Sequence, residues 1–454
     1  MSVPAVKNEK NGKLGKNIKK PQLMFKDAVD NTHARFIPKI SNKPNALKPL
    51  PKELVLLNSQ DNISKNESNS LAISNLIHSE AVYDHPYQYE LENFKPLSSQ
   101  LEKPTPIKSG PVDTDSCIFV DGVNGLNMLI RELKQESEIA VDLEAHSFRS
   151  YQGITCLMQL STRKTDYIVD TLALRANLNI LNQVFTNPKI VKVFHGADQD
   201  IKWLQRDFGV YVVNLFDTGQ AARELKLGCS LEYLLKHYCK VESDKKFQKA
   251  DWRERPLSKD MLKYAQKDTH YLLYIYDMMK LDLLEKAGDA KLMRKVIGNS
   301  RDICLLKYEK LIIDDTSHRK LLRKGAGKIE DWEPQELEAL RLIYMWRDKL
   351  ARQMDESCGY VLPNKLLVQI AKTMPQTEQD LRLQGVRQQY VQTIHQLIVE
   401  AGNKVFKSEP SSEPLHDSSN LGTTNDSKDP STNKNFEIYL IIPILVAFAI
   451  YFFF

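Results

Sequence analysis

No two cysteines of this sequence stand close enough to form a C-x-x-C pair. The six, Cys117, Cys156, Cys229, Cys239, Cys304 and Cys358, are scattered over 454 residues. That excludes a disulfide scaffold and a cysteine-based zinc site, and it fits reduced thiols in a cytosolic or nuclear protein. Strong charge of either sign is also missing. The 63 Lys plus Arg against 58 Asp plus Glu leave a formal +5, a lean toward anionic partners too slight to name one. There is no internal repeat. The N-terminus has no apolar stretch of the kind a secretory signal needs and reads KNEKNGKLGKNIKK. Long apolar runs are absent until residues 438–454, where Pro443 is the one helix-unfriendly member. As a helix that run would extend roughly 26 Å, near the lower limit for crossing a bilayer. It admits two readings, a membrane contact or an alternative end of the reading frame.

What is present is enough apolar material, 42% of the residues, to build cores in about two or three domains. Residues 1–110 are rich in Asn, Ser, Lys and Pro and predict a largely disordered arm. Its start is basic through Lys7, Lys10, Lys13, Lys16, Lys19, Lys20 and Lys26, a composition that serves nuclear import or RNA tethering as well as plain solubility. Order begins near Asp115. Ile139, Val141 and Leu143 alternate with Ala140, Asp142 and Glu144, the period of a strand. Residues 154–160, 167–169, 189–194 and 212–216 read as further strands. Residues 198–208 read as a helix with Ile201, Leu204 and Phe208 on one face, and another helix starts at Thr218. This pattern predicts an α/β domain with a mixed sheet over residues 111–290. Ser258 is a fitting N-cap for a long helix running to about Lys286. A helical linker is expected over 291–330 and an all-α domain over 331–402, where Leu337, Leu340, Tyr344 and Arg347 keep helical spacing. Residues 403–436 return to linker composition.

Carboxylates stand in four places where this pattern expects apolar residues. Asp142 and Glu144 are two apart on a strand and share one face. Such neighbours repel unless a cation lies between them, and their hard oxygens suit Mg²⁺ or Mn²⁺. Asp200 begins a helix, where Asp198 could equally serve the helix dipole. Tyr264 and Asp268 are one turn apart on a later helix. Each element alone reads more readily as structural. His195 reads as a packed residue rather than a ligand. A basic loop, SDKKFQKADWRERP, carries Lys245, Lys246, Lys249, Trp252, Arg253 and Arg255. Cations of that kind neutralise phosphates and aromatics stack bases, so these six are expected RNA contacts, against the alternative of a core tryptophan and solvated lysines.

Taken in order, D-x-E on a strand, Asp at a helix start and Y-x-x-x-D on a later helix resemble the tyrosine branch of the DEDD exonuclease superfamily. The resemblance sharpens over three stretches: VDLEAHSFRSYQGITCLMQLSTR, KVFHGADQDIKWLQRDFGVYVVNLFDT and DWRERPLSKDMLKYAQKDTHYLL. They are similar to the ribonuclease-D-like catalytic subunits of the nuclear RNA exosome. GYVLPNKLLVQIAKTMP in the helical region is similar to a helicase-and-RNase-D C-terminal (HRDC) domain, and HPYQYEL resembles the family's lead-in. The resemblance implies a ribonuclease-H-like sheet and a 3′→5′ exoribonuclease. It implies two Mg²⁺ ions, replaceable by Mn²⁺, held by Asp142, Glu144, Asp200 and Asp268. Tyr264 would orient the attacking water, since a free phenol with pKa about 10 is a poor base at neutral pH. It also implies single-stranded RNA 3′ ends as substrate, exosome core subunits as partners, and work on ribosomal precursors and RNA decay in the nucleus and nucleolus. Two departures accompany it. Ala145 stands where the family tends to have histidine. Some hundred polar N-terminal residues, too few for the family's partner-binding domain, argue against its usual small cofactor protein. A membrane-tethered nuclease of the same chemistry, supported by residues 438–454, and a non-catalytic RNA-binding scaffold are the alternatives. The helical domain has eight Lys plus Arg against ten Asp plus Glu, so electrostatics alone do not make it an RNA binder.

Overall fold

The computed structural model of the protein describes residues 18–25, 29–58, 83–113, 116–242, 245–322 and 328–406. Six strands form one mixed sheet: β1 Ile118–Val120, β2 Glu138–His146, β3 Ile154–Ser161, β4 Asp166–Val169, β5 Val191–Phe194 and β6 Leu215–Asp217, in the order β1-β4-β3-β2-β5-β6. β3 is antiparallel to both β2 and β4, and the other neighbours run parallel. Around the sheet lie helices α1 Val123–Leu133, α2 Asp198–Phe208, α3 Thr218–Leu225, α4 Lys259–His270, α5 Leu272–Ala287 and α6 Lys291–Cys304.

The alternation along β2 separates two cores. Ile139, Val141 and Leu143 join α1 and α2 through Leu126, Leu129, Ile201 and Leu204. Ala140 joins Val193, Phe216 and the apolar faces of α3, α5 and α6. α4 lies on β3 and β4, with Met261 and Ala265 against Ile154, Leu157, Ile168 and Trp252.

Several elements differ from the pattern in the sequence. β1 and α1 are additional to the expected elements. The strand expected at 212–216 is β6, which starts only at Leu215 because Asn214 takes a positive φ of 64°. Ser258 does cap α4, accepting from the Met261 amide. The expected single helix to Lys286 is two, because α4 and α5 serve different cores and the chain bends at Tyr271 between them. The helical linker expected over 291–330 is not one: α6 buries Met293, Val296 and Ile297 in the nuclease core, and residues 306–314 then run without helix.

The disorder expected for residues 1–110 does not hold over their described parts. Leu54, Tyr87 and Leu91 are buried, and Tyr87 packs on Tyr211. Glu90 pairs with Lys43 at 2.8 Å and accepts the Leu47 and Lys48 amides. Polar composition concealed a few apolar anchors whose partners lie far along the chain. Residues 407–454, the apolar segment among them, lie outside the described residues. Among those described, no helix is long and apolar enough to cross a membrane.

The C-terminal helices α7 Pro334–Met354, α8 Asn364–Thr373, α9 Glu378–Leu383 and α10 Gln388–Phe406 enclose Leu340, Ile343, Leu367, Ile370, Leu381 and Ile394. They grip the loop between β2 and β3. Arg149 makes two hydrogen bonds to the buried Glu356, at 2.9 and 2.8 Å. The Tyr151 hydroxyl donates to Asp348 at 2.5 Å, and Asp355 accepts from the Tyr151 amide at 3.0 Å and the Ser150 hydroxyl at 3.2 Å. The N-terminal segment closes the same knot, with Lys20 on Glu356 at 2.8 Å and Asn31 on Asp355 at 3.0 Å. Removing one partner of a buried charge pair leaves the other uncompensated. Arg149→Ala, with Lys20 still facing Glu356, is expected to destabilise the protein by about 2 kcal/mol in urea unfolding.

Candidate active site

β2 and α4 bring the site together. Asp142 and Glu144 project from the face of β2 that continues Ala140. The register places Asp142 opposite Gln159 and Glu144 opposite Leu157. α4 packs on this part of the sheet through Ala265 and presents Asp268 to it. Ligand oxygens of Asp142, Glu144 and Asp268 all lie within 4.8 Å of one another, and all three residues are half-buried. α2 brings Asp200, which is buried, while its neighbour Asp198 is exposed. Asp200 is not among the three carboxylates that meet within 4.8 Å, and its link to them is electrostatic, through Asp142 and Glu144. Tyr264, one turn before Asp268, is half-buried, its ring 5.9 Å from Phe247 and 6.0 Å from Trp252 between centroids. His195 is held by Thr218 at 2.9 Å, as a packed residue.

The charges of this cluster oppose one another. Burial pushes Asp142 up to about 7. Glu144 is raised well above the ordinary carboxylate range by burial, then by Asp142, Asp268 and Asp200. Asp200 and Asp268 are raised by burial and by Asp142, with Lys267 partly offsetting the effect at Asp268. An all-oxygen donor set in mutual repulsion fits a hard divalent cation, whose charge would reverse each of these shifts.

The basic loop divides. Trp252 is buried at 1% exposure and belongs to the core with Leu257 and Met261. Arg253 is buried and bound twice to Asp251, at 2.8 and 2.6 Å. Arg255 is held by Asp170 at 2.6 and 2.9 Å. These three of the six expected RNA contacts are held in structural roles by burial and ion pairing, although Trp252 Nε1 and Arg253 Nη1 keep no hydrogen-bond partner. Lys245, Lys246 and Lys249 are exposed, Lys245 beside Glu232 and Lys246 over the Phe247 ring.

Sequence reasoning passed over Gln159. It is fully buried in β3 opposite Asp142, and both its amide atoms lack a hydrogen-bond partner. A lone amide in the run ITCLMQLS, in cross-strand register with D-x-E, was the available signal.

The carboxyl cluster predicts a pH dependence. A carboxyl whose folded pKa exceeds its unfolded value holds its proton more tightly when folded, so its contribution to stability is lost as pH rises from about 4 through about 7. In EDTA, Asp142→Asn is therefore expected to melt above the wild type by about 4 °C or more at pH 8, corresponding to roughly 2 kcal/mol, with the gap closing toward pH 4. Thermal scans across that range check it.

Comparison with known proteins agrees with this geometry. A 3′-5′ exonuclease family model matches residues 117–284 and an HRDC domain model matches residues 336–401. The crystal structure of the catalytic core of RRP6 from Trypanosoma brucei superposes with a TM-score of 0.71 at 35% identity, covering 86% of this chain and 99% of that one. Exosome complex component 10 of Rattus norvegicus is 49% identical over 377 residues, and exosome complex exonuclease RRP6 of Saccharomyces cerevisiae 44% identical over 379. Each alignment covers 81% of this chain, and the chain spans 42% and 49% of those relatives' lengths. The sheet and the helical domain joined to it match the exonuclease and HRDC domain models and the RRP6 catalytic core, and the chain belongs to the RRP6 family.

Proposed function

We propose that this chain is a metal-dependent 3′→5′ exoribonuclease acting on single-stranded RNA 3′ ends, with the exosome core, in nuclear and nucleolar RNA processing and decay. The observation that carries the reading is the meeting of Asp142, Glu144 and Asp268 within 4.8 Å from β2 and α4, with the buried Asp200 of α2 acting on the set electrostatically and Tyr264 one helical turn before Asp268. No packing need puts mutually repelling carboxylates together. The named exosome subunits among the relatives support the choice of RNA and of partner.

The four carboxylates would hold two Mg²⁺ ions, for which Mn²⁺ can stand in. When bound, such a pair stabilises charge on the attacking and leaving oxygens of a phosphodiester. The protein's own contribution is position. The β2 pleat holds Asp142 and Glu144 at fixed separation, and the α2 and α4 backbones set Asp200 and Asp268 against them. Trp252 and Phe247 flank the Tyr264 ring, so its hydroxyl can orient a water for attack on the terminal phosphodiester. Cleavage there releases one nucleotide and leaves a new 3′ end for the next cycle.

The test uses the full chain with a 5′-labelled single-stranded RNA and Mg²⁺ or Mn²⁺. A ladder shortening from the 3′ end is expected, abolished by EDTA and reduced by about a hundredfold or more in Asp200→Asn. Folded protein that binds the RNA and leaves it intact with both metals would favour a non-catalytic scaffold.

A further inference from the structure

Where the helical domain meets the β2–β3 loop, Phe148, Tyr360, Leu362, Pro363, Leu366 and Arg387 line a groove of about 390 Å³. The Tyr360 ring has two guanidiniums near it, Arg149 at 4.1 Å and Arg387 at 4.3 Å from its centroid, and Phe148 meets it edge-on at 5.5 Å. Arg149 is neutralised by Glu356. Arg387 is exposed, and among the described residues no carboxylate pairs with it. Phe148 is 41% exposed, a large aromatic ring left open on a loop whose neighbours are tightly bound.

The groove lies near the site along the chain, although none of the carboxylates lines it. Phe148 follows Glu144 by four residues, so a fully extended chain could separate their Cα atoms by no more than about 14 Å. An exposed ring, a second ring and an uncompensated arginine beside a phosphodiester-cleaving centre match the needs of a single strand, with bases on π-faces and a phosphate on the guanidinium.

We infer that Phe148, Tyr360 and Arg387 form a platform holding the RNA strand a few nucleotides upstream of the scissile bond. The inference rests on the exonuclease reading above and adds a substrate contact to it. The platform gives the helical domain a direct hold on the strand, although its net charge does not favour RNA. Strands too short to reach the platform bypass it.

Two measurements on the full chain test this, with Phe148→Ala and Arg387→Glu beside the wild type. One is the anisotropy of a fluorescein-labelled single strand of roughly ten nucleotides in EDTA, at the length scale such platforms engage. The other is cleavage of that strand against cleavage of a dinucleotide. Each variant is expected to raise Kd and KM for the longer strand about tenfold, with kcat, dinucleotide cleavage and melting temperature unchanged. Arg387→Lys should recover part of the loss. An unchanged Kd would overturn the platform, and so would an equal loss on both substrates, which would mark the residues as supports of the loop. If the wild type cleaves neither substrate, the exonuclease reading fails, while binding in EDTA still decides on the platform.

Discussion

Asp142, Glu144 and Asp268, all half-buried, bring ligand oxygens within 4.8 Å of one another, the buried Asp200 adds to the repulsion at Glu144, and the surrounding elements hold the set in place. Burial is the main cause that raises each member of the set, Asp142 to about 7, and repulsion from neighbouring carboxylates adds to it at Glu144, Asp200 and Asp268. A fold that tolerates this needs rigid supports on all sides. The central strand β2 supplies one, buried between two cores. α2 and α4 supply the others, each seated by an apolar stripe that leaves one acidic residue facing the cluster.

The same need explains why the helical domain and the N-terminal segment converge on the β2–β3 loop. That loop connects the strand carrying Asp142 and Glu144 to the strand that pairs with it. Arg149, Ser150 and Tyr151 are tied to Glu356, Asp355 and Asp348, and Lys20 and Asn31 reinforce the same acidic residues. These ties fix the loop by hydrogen bonds from buried or half-buried groups, which rank above surface ion pairs in strength. The chemistry and the domain arrangement are therefore joined through one short loop.

Much of this was legible in the sequence, for physical reasons that can be named. The period-two alternation at 139–144 showed both the strand and its acidic face. The stripe of Ile201, Leu204 and Phe208 gave α2 at its observed bounds, and Ser258 marked the start of α4. The carboxylates were readable because they break an apolar pattern, and their family order made the set coherent. Other features depend on contacts distant in sequence. Tyr87 and Leu91 look like residues of a polar arm until Tyr211 and the α1–α2 core are placed beside them. The division of α4 from α5 arises from two cores competing for one apolar stretch. Trp252, Arg253 and Arg255 have the composition of a nucleic-acid contact, and only their burial and their pairing with Asp251 and Asp170 show otherwise. Gln159 became visible only through its cross-strand register with Asp142.

Isothermal titration of Mg²⁺ or Mn²⁺ into the full chain tests most directly the claim that the cluster exists to hold cations. The account predicts saturable binding of two ions per chain with proton release, because each raised carboxyl must ionise as its cation arrives, and weakened binding in Asp142→Asn. Absence of saturable binding by a folded chain, or binding that Asp142→Asn leaves unchanged, would contradict it.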